Sequence, residues 1–262
     1  MQTLKPSIAV ITPVRNAMPF LPEAIRSIRD QSYAPLELIV VDDGSTDGSS
    51  EYVRSLEGIA LRSLTTADAG PAAARNAAIR SSESDLVAFL DADDLWPSGT
   101  LHRMVEALAA DPEAGFAQGL IRNFRDLSDG SRHFFTAPYR YLNLGACLWR
   151  RSTLTEVGLL DADLRLCEDL DLMLRCWERD IPKAEIDEVT LHYRRHPGNM
   201  TAGLSGAGFG TLRAYQKRID RIRYGKFQNT EPRRFVQSAY LGSGPVHQDG
   251  PYRSRPPKTD AG

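Results

Sequence analysis

The chain has 262 residues, 42% hydrophobic and 25% charged, so it is long enough and apolar enough to form a domain with a well-buried core. Its net charge of -2 excludes a global basic field that would bind nucleic acid, so an acidic ligand must be bound by a local site. No apolar run approaches the roughly 18 residues that span a bilayer, and residues 1–13 do not resemble a signal peptide. The three cysteines lack metal-ligand spacing. Together these features predict a cytoplasmic protein with reduced thiols.

Short apolar runs alternate with helical patterns over the first ninety residues. The runs are β-branched or end at turn residues, which favours strands, whereas the segments between them carry apolar residues at helical spacing. We expect strands at residues 7–12, 36–41, 59–64 and 86–90, with helices that begin at Leu21, after a cap at Thr46, and at Pro71. Nearly continuous apolar strands separated by helices predict an α/β fold with a parallel sheet covered on both faces.

The pattern is less regular after residue 98. Ser98 is expected to cap a helix over 101–108, and further helices are expected at 168–179 and 211–224. Strands are expected at 115–121, 144–149 and 186–193. From residue 242 onward, eight of 21 residues are Gly or Pro, which predicts a flexible tail at 242–262.

Polar residues stand where three of the predicted strands end. Thr12 ends the first strand, Asp42 and Asp43 follow the second, and the acidic cluster at 91–94 follows the fourth. Ligands of open parallel sheets bind outside the carboxyl ends of the strands. The sequence therefore predicts a binding site at this edge of the sheet.

Asp91 and Asp93 are candidate metal ligands. Residues two apart in an extended segment face the same side, so both carboxylates can point at one ion. Oxygen-only ligands suit Mg²⁺ or Mn²⁺ and leave coordination positions for phosphate oxygens and water. A solvated turn with a helix cap is the alternative, and the position directly after a buried apolar run favours the ligand-binding interpretation.

Three further residues are open to two interpretations each. Asp43 is either a hydrogen-bond acceptor for a ribose or base or part of a tight turn. Arg75 is either a surface charge or a phosphate contact. Asp169 is either a general base for an acceptor hydroxyl or one acidic residue in the first turn of a helix.

Five segments together resemble the family 2 glycosyltransferases, a large group with the GT-A fold. Their order and spacing match the family across about residues 7–200. The segments are 8–16 (IAVITPVRN), 37–49 (ELIVVDDGSTDGS), 70–76 (GPAAARN), 89–94 (FLDADD) and Glu168–Asp169.

The resemblance implies a role for each matching residue. Asp43 would accept the imide N–H of a base, Asp93 would ligate a metal that bridges a diphosphate, and Asp169 would be the base of an inverting displacement. Asp91 and His196 are further candidate metal ligands. The resemblance gives as donor-binding residues Thr12, Pro13, Arg15, Asp43, Arg75, Asp91 and Asp93.

The resemblance also implies a GT-A (Rossmann-like) α/β fold with a mixed, mostly parallel sheet. Residues 1–205 would form the glycosyltransferase domain, with a donor half at 1–97 and an acceptor half at 98–205. A helical extension would follow at 206–241, before the tail at 242–262.

The expected activity is transfer of a sugar from a nucleotide-diphosphate donor, a UDP-sugar, to a hydroxyl of a glycan or glycolipid of the cell envelope, with Mn²⁺ or Mg²⁺. No nucleic-acid partner is expected. The basic segment 213–226 is either a peripheral contact with the inner face of the membrane or a solvated helix face.

Two other classes remain open. A nucleotidyltransferase should have a Gly-rich phosphate loop after the first strand, whereas residues 12–16 contain no glycine. A non-catalytic relative that binds nucleotides or glycans should have lost metal-binding or base carboxylates, and Asp93 and Asp169 are both present.

Overall fold

A computed structural model describes residues 5–200, 202, 209–224 and 240–242. The described part contains eight strands: β1 (Ile8–Val14), β2 (Leu36–Asp42), β3 (Ala60–Thr65), β4 (Leu86–Phe89), β5 (Phe116–Asp126), β6 (Arg132–Phe134), β7 (Cys147–Arg150) and β8 (Lys183–Arg194). It also contains seven α-helices: α1 (Leu21–Arg29), α2 (Ser49–Arg54), α3 (Pro71–Arg80), α4 (Thr100–Ala110), α5 (Arg151–Val157), α6 (Glu168–Glu178) and α7 (Phe209–Arg223).

The strands form a single mixed sheet in the order β3-β2-β1-β4-β7-β5-β6, with β8 paired to β5. The first four strands are parallel to one another. Strand β7 is antiparallel to both β4 and β5, so β5 and its parallel partner β8 run in the direction of the first four strands. The expected α/β fold with a mostly parallel sheet is confirmed.

Both faces of the sheet are buried. In β1, Ala9 and Ile11 pack into one apolar cluster, and Ile8 and Val10 pack into the other. Successive side chains of a strand point to opposite faces, so a strand covered by helices on both sides is apolar at every position. This two-sided burial explains the unbroken apolar runs that made β1, β2 and β4 recognisable.

Two expected helix caps are wrong. Helix α2 begins after Gly48 instead of being capped by Thr46, and α4 begins after Gly99 instead of Ser98. Both glycines have positive φ, +92° and +74°, a conformation that Ser and Thr adopt only with strain. The turn before each helix is therefore longer than the capping patterns indicate.

Short strands and helices were predicted less well from the sequence than long ones. The expected strand at 144–149 is a 3₁₀ turn over Leu144–Ala146 followed by β7, and neither β6 nor α5 was expected. Strand β6 has three residues and helix α5 has seven, which are too few to show a periodic pattern of apolar residues. Helix α7 lies in the segment expected to be a helical extension, whereas the tail at 243–262 lies outside the described residues.

Among the residues that the structure describes, no helix is long and apolar enough to cross a membrane.

Close contact between β5 and β8 requires a glycine at position 119. A Cβ atom built there would lie 2.2 Å from the Thr190 methyl carbon and 2.3 Å from its hydroxyl oxygen. We expect Gly119→Ala to lower the free energy of unfolding by about 1–3 kcal/mol, the usual cost of overpacking. Denaturant unfolding measures this loss, and Thr190→Ala in the same chain should restore part of it. Equal stability of Gly119→Ala and the wild type would show that the strands separate at little cost.

Candidate active site

A cavity of about 860 Å³ opens at the carboxyl ends of the parallel strands. It collects residues that are far apart in the sequence, because β1, β2, β4 and β8 all end at the same edge of the sheet. Of the candidate residues, those that line the cavity are Pro13, Arg15, Asp43, Arg75, Asp91, Asp93, Asp169 and His196. Thr12 is fully buried behind them, and its hydroxyl has no hydrogen-bond partner among the residues that the structure describes.

Asp43 supports the loop that leads into α3. Its carboxylate accepts hydrogen bonds from the Thr66 hydroxyl at 2.6 Å and from the amides of Ala69 and Gly70, each at 2.9 Å. Burial opposes ionisation, but these three donors hold the pKa of Asp43 below its usual value. The side chain is therefore a fixed anion at this end of the cavity. Beside it, Arg15 forms an exposed ion pair with Asp68.

Arg75 is a buried cation between two acidic residues. Its guanidinium is 2.5 Å from Asp91 and 2.7 Å from Glu168, and the residue is only 5% exposed. Burial opposes the charge, but Asp91 and Glu168 raise the pKa of Arg75 above its ordinary value. Asp91 follows β4 and Glu168 begins α6, so Arg75 ties the first ninety residues to the second half of the chain.

Asp93 lies against the segment that follows β8. Its carboxylate is 3.0 Å from Nε2 of His196 and accepts a 3.1 Å hydrogen bond from the Asn199 amide. The Gly198 amide donates to Nδ1 of His196, so a neutral imidazole carries its proton on Nε2 and donates to Asp93. Burial and the neighbouring Asp91 raise the pKa of Asp93. A nearby cation would relieve this crowding of carboxylates.

The backbone of the acidic turn is held by Arg194. Its Nε–H donates to the Asp93 carbonyl at 2.7 Å, and its amide donates to the Asp94 carboxylate at 2.8 Å. The same buried guanidinium is ion-paired to Glu23 and Asp126. Arg194 therefore connects the turn after β4 to α1, β5 and β8.

Asp169 lies in the first turn of α6. The helix follows Cys167, which has φ +66°, a left-handed conformation that is uncommon for a residue with a side chain. Burial raises the pKa of Asp169 above its ordinary value, although the Leu170 amide and Arg75 act in the opposite direction. A carboxylate with a raised pKa at a cavity wall is a candidate proton acceptor.

The candidate metal site offers two carboxylates and an imidazole as donors, and metal binding stays a prediction. Asp91 and Asp93 each have one carboxylate oxygen without a hydrogen-bond partner in the described ranges. Oxygen ligands of this kind, with an imidazole nearby, suit Mn²⁺ or Mg²⁺. Among the described residues, no three His, Cys, Asp or Glu side chains converge in metal-binding geometry. Any metal here must therefore take most of its ligands from a bound molecule and water.

Four contributing residues received no role from the sequence: Asp94, Glu168, Arg194 and Asn199. Asp94 and Glu168 lie within segments of the family resemblance, 89–94 and 168–169, which assigned a role only to their neighbours. Arg194 and Asn199 flank His196, and nothing in the sequence around them distinguishes them from surface residues. Their importance depends on contacts with residues about 90 to 170 positions away.

The basic segment at 213–226 is partly used inside the protein. Lys217 pairs with Asp161, and Arg221 is 2.7 Å from Asp171 and 3.0 Å from Glu178. Arg218 also pairs with Glu178, Arg213 and Arg223 are exposed, and Lys226 lies outside the described residues. Membrane contact through this segment stays a prediction, with fewer free cations than the sequence indicates.

Comparisons with curated proteins identify glycosyltransferases as relatives. A stretch of 109 residues, 40% of this chain, is 38% identical to the putative teichuronic acid biosynthesis glycosyltransferase TuaG of Bacillus subtilis (strain 168) and covers 43% of it. The O-antigen biosynthesis protein RfbC of Myxococcus xanthus is 31% identical over 225 residues, 79% of this chain and 17% of RfbC. The chain spans about two fifths of the length of three curated relatives that it matches.

Solved structures share the fold. Residues 1–349 of TarS from S. aureus, in complex with UDP-GlcNAc, give a TM-score of 0.62 at 21% identity over 76% of this chain and 61% of that one. The mannosyltransferase PcManGT from Pyrobaculum calidifontis, in complex with GDP-Man and Mn²⁺, gives 0.62 at 22% identity over 83% of this chain and 65% of that one. These similarities confirm the GT-A fold.

The family model described as Glycosyl transferase family 2 matches residues 9–164, which is more than half of the chain. That segment contains the turn with Asp43, the helix with Arg75 and the acidic turn at 91–94. The chain belongs to the family 2 glycosyltransferases.

Proposed function

We propose that the protein is an inverting glycosyltransferase that moves a sugar from a UDP-sugar to a hydroxyl of a glycan or glycolipid, with help from a divalent metal. The observation that carries this proposal is that one cavity contains both the carboxylates at the strand ends and the candidate base, Asp169. Fixed carboxylates at the strand ends suit a nucleotide-diphosphate donor and its metal. Asp169, held opposite them through the Arg75 bridge, suits activation of an acceptor.

The donor would bind along the strand ends. Asp43 is an ionised acceptor that would receive the imide N–H of uracil, and Arg15, which lines the same cavity, would contact the nucleotide. UDP-GlcNAc in TarS supports a uracil nucleotide, whereas GDP-Man in PcManGT shows that a relative of the same fold takes guanine. The uracil assignment is therefore the part of the proposal that a nucleotide panel should test first.

Asp93 would hold the metal, with Asp91 and His196 as further candidate ligands. Mn²⁺ or Mg²⁺ would neutralise the negative charge that develops on the departing diphosphate. Asn199 and Arg194 fix the side chain and the backbone of Asp93, so the carboxylate is preorganised before any ligand binds.

Asp169 would act as the general base. The acceptor oxygen forms a bond to the anomeric carbon, the bond from that carbon to the diphosphate oxygen breaks, and the hydroxyl proton passes to Asp169. A single displacement from the opposite face inverts the anomeric centre. The raised pKa of Asp169 makes it a better proton acceptor than an ordinary carboxylate.

A second candidate function is nucleotide or glycan binding without turnover. The ion pair between Arg75 and Asp91 occupies one oxygen of a carboxylate that the catalytic proposal assigns to the donor site. Retention of that ion pair when a donor is bound would favour the non-catalytic function.

The donor site is tested by a thermal-shift panel of UDP, TDP, GDP and CDP, each with and without Mn²⁺. We expect UDP with Mn²⁺ to stabilise the protein, by about 2.7 kcal/mol when the ligand is at a hundred times its dissociation constant. Asp93→Ala should abolish the metal-dependent part of the shift. Glu188→Gln is a suitable control, because this carboxylate is outside the residues that line the cavity and, in the described part of the chain, pairs with Arg103 alone. No response to any nucleotide would contradict the proposal.

The base is tested by Asp169→Asn. The amide keeps the size of the side chain but cannot accept the proton, so sugar transfer should fall by a factor of about 10² to 10⁴ while the nucleotide shift is unchanged. Asp187→Asn makes the same change at an exposed carboxylate outside the cavity and should leave transfer unaffected. Full transfer activity in Asp169→Asn would remove Asp169 from the mechanism.

The pH dependence follows from the direction of the shift at Asp169. The base must be ionised and its pKa is raised, so activity is present above this pKa and is lost as the pH falls through it. We expect the acid limb of kcat to lie at higher pH than the ordinary carboxylate range. Nucleotide binding measured at the same pH values distinguishes protonation of Asp169 from weaker binding of the donor. An acid limb within the ordinary Asp range would contradict the assignment.

A further inference from the structure

Residues beyond the family-matched segment 9–164 reach the cavity beside Asp169. The start of α7 packs against the chain that precedes α6: Thr211 is 3.6 Å from the Cys167 sulfur, and a Cβ at Gly210 would lie 3.0 Å from Leu166. One turn further along α7, Tyr215 lines the cavity. Helix α7 therefore forms a wall of the site and belongs to its acceptor side.

Tyr141 lies on the same side, and its backbone is held by a buried network. Its carbonyl accepts a 2.9 Å hydrogen bond from Gln118, which is fully buried, and Gln118 accepts a 3.0 Å bond from Lys183. Lys183 also donates to the Tyr240 carbonyl at 2.6 Å. A fixed backbone makes Tyr141 a preorganised contact surface.

The tyrosines of this region differ in whether their hydroxyls form hydrogen bonds within the described part of the protein. Those of Tyr139 and Tyr240 are hydrogen-bonded to Asn123 and to the Ile181 carbonyl. In the described ranges, the hydroxyls of Tyr141 and Tyr215 have no hydrogen-bond partner, although both side chains line the cavity. Tyr141 is 40% exposed. Tyr215 is partly buried against the core. Two aromatic rings at a cavity wall, with hydroxyls that have no partner among the described residues, are suited to bind a ligand that has both an apolar face and hydroxyl groups.

Tyr141, Tyr215 and Asp169 line the same cavity. The pKa of Tyr141 is raised first by burial and then by the charges of Asp169 and Tyr215, in keeping with this shared location. A ligand held by the rings would present its hydroxyls close to Asp169.

We propose that Tyr141 and Tyr215 form the acceptor subsite and bind a pyranose ring. The C–H face of the sugar packs on the phenol rings, its hydroxyls bond to the two phenol hydroxyls, and one hydroxyl faces Asp169. This assignment rests on the proposed transfer function and names its acceptor class as a glycan. A pyranose fits better than a linear polyol, which has no flat apolar face, and better than an alkyl chain, which cannot use the free phenol hydroxyls.

The test is saturation-transfer NMR on the full chain, with methyl pyranosides of glucose, galactose, mannose and N-acetylglucosamine as probes. Ribitol and octanol serve as the polyol and alkyl probes. Each is measured with and without UDP and Mn²⁺. We expect at least one pyranoside to receive saturation on its ring C–H protons. Its dissociation constant should rise about tenfold or more in the Tyr141→Ala/Tyr215→Ala protein, in keeping with two lost hydrogen bonds and the lost ring contacts.

The single Tyr141→Phe and Tyr215→Phe variants keep the rings and should each weaken binding only about threefold, as expected for one hydrogen bond. Tyr224→Ala is the matched control, because this exposed tyrosine follows α7 and does not line the cavity. Nucleotide thermal shifts should be the same in all variants, which also shows that each is folded.

Binding of no pyranoside, equal binding by the double alanine variant, or binding of only ribitol or octanol would each overturn the assignment. A protein that binds a pyranoside through these tyrosines but gives no nucleotide shift would instead overturn the proposed transfer function and leave the subsite intact.

Discussion

A buried guanidinium between two carboxylates is the interaction on which the site depends. Arg75 joins Asp91, at the end of β4, to Glu168, at the start of α6, and so sets where Asp169 stands relative to the strand ends. A buried charge is costly unless it is paired, so Arg75 would be left uncompensated if both acids were lost. Asp93 and Asp169 line the same cavity and are not ion-paired to Arg75 in the described part of the chain. This surplus of negative charge is the basis of the metal and base roles that we propose.

Arg194 holds the acidic turn at 91–94 in place, as Arg75 does for the start of α6. Its side chain is almost fully buried, stacks near Phe20 and Phe124, and is ion-paired to Glu23 and Asp126. Because its Nε–H is bonded to the Asp93 carbonyl, the turn cannot shift without breaking a network that extends to α1 and β5. The two arginines thus make the cavity a rigid part of the scaffold although most of its residues lie in turns.

The sequence predicts what is local and repetitive. Strands buried on both faces are apolar throughout, so β1, β2 and β4 and the polar residues that follow them were identified together with the edge at which they meet. Arg194 and Asn199 were not assigned, since their functions arise from contacts across the fold and not from their neighbours in the chain. The bond from Arg75 to Glu168 is of the same kind, and motif position alone indicated only a contact with a donor. Tyr141 and Tyr215 lie outside any motif and required the folded cavity.

The distances along the chain between these partners have a consequence for biosynthesis. His196 follows Asp93 by 103 positions, and Arg194 follows Glu23 by 171. Contacts of such long range form late, because loop closure must precede them. While the ribosome is still adding residues 98–205, the emerged strands expose Asp91 and Asp93 without their supporting partners. A nascent chain is therefore expected to have no ordered acidic turn at 91–94 until β8 has emerged, so this turn forms in one late step and not in proportion to chain length.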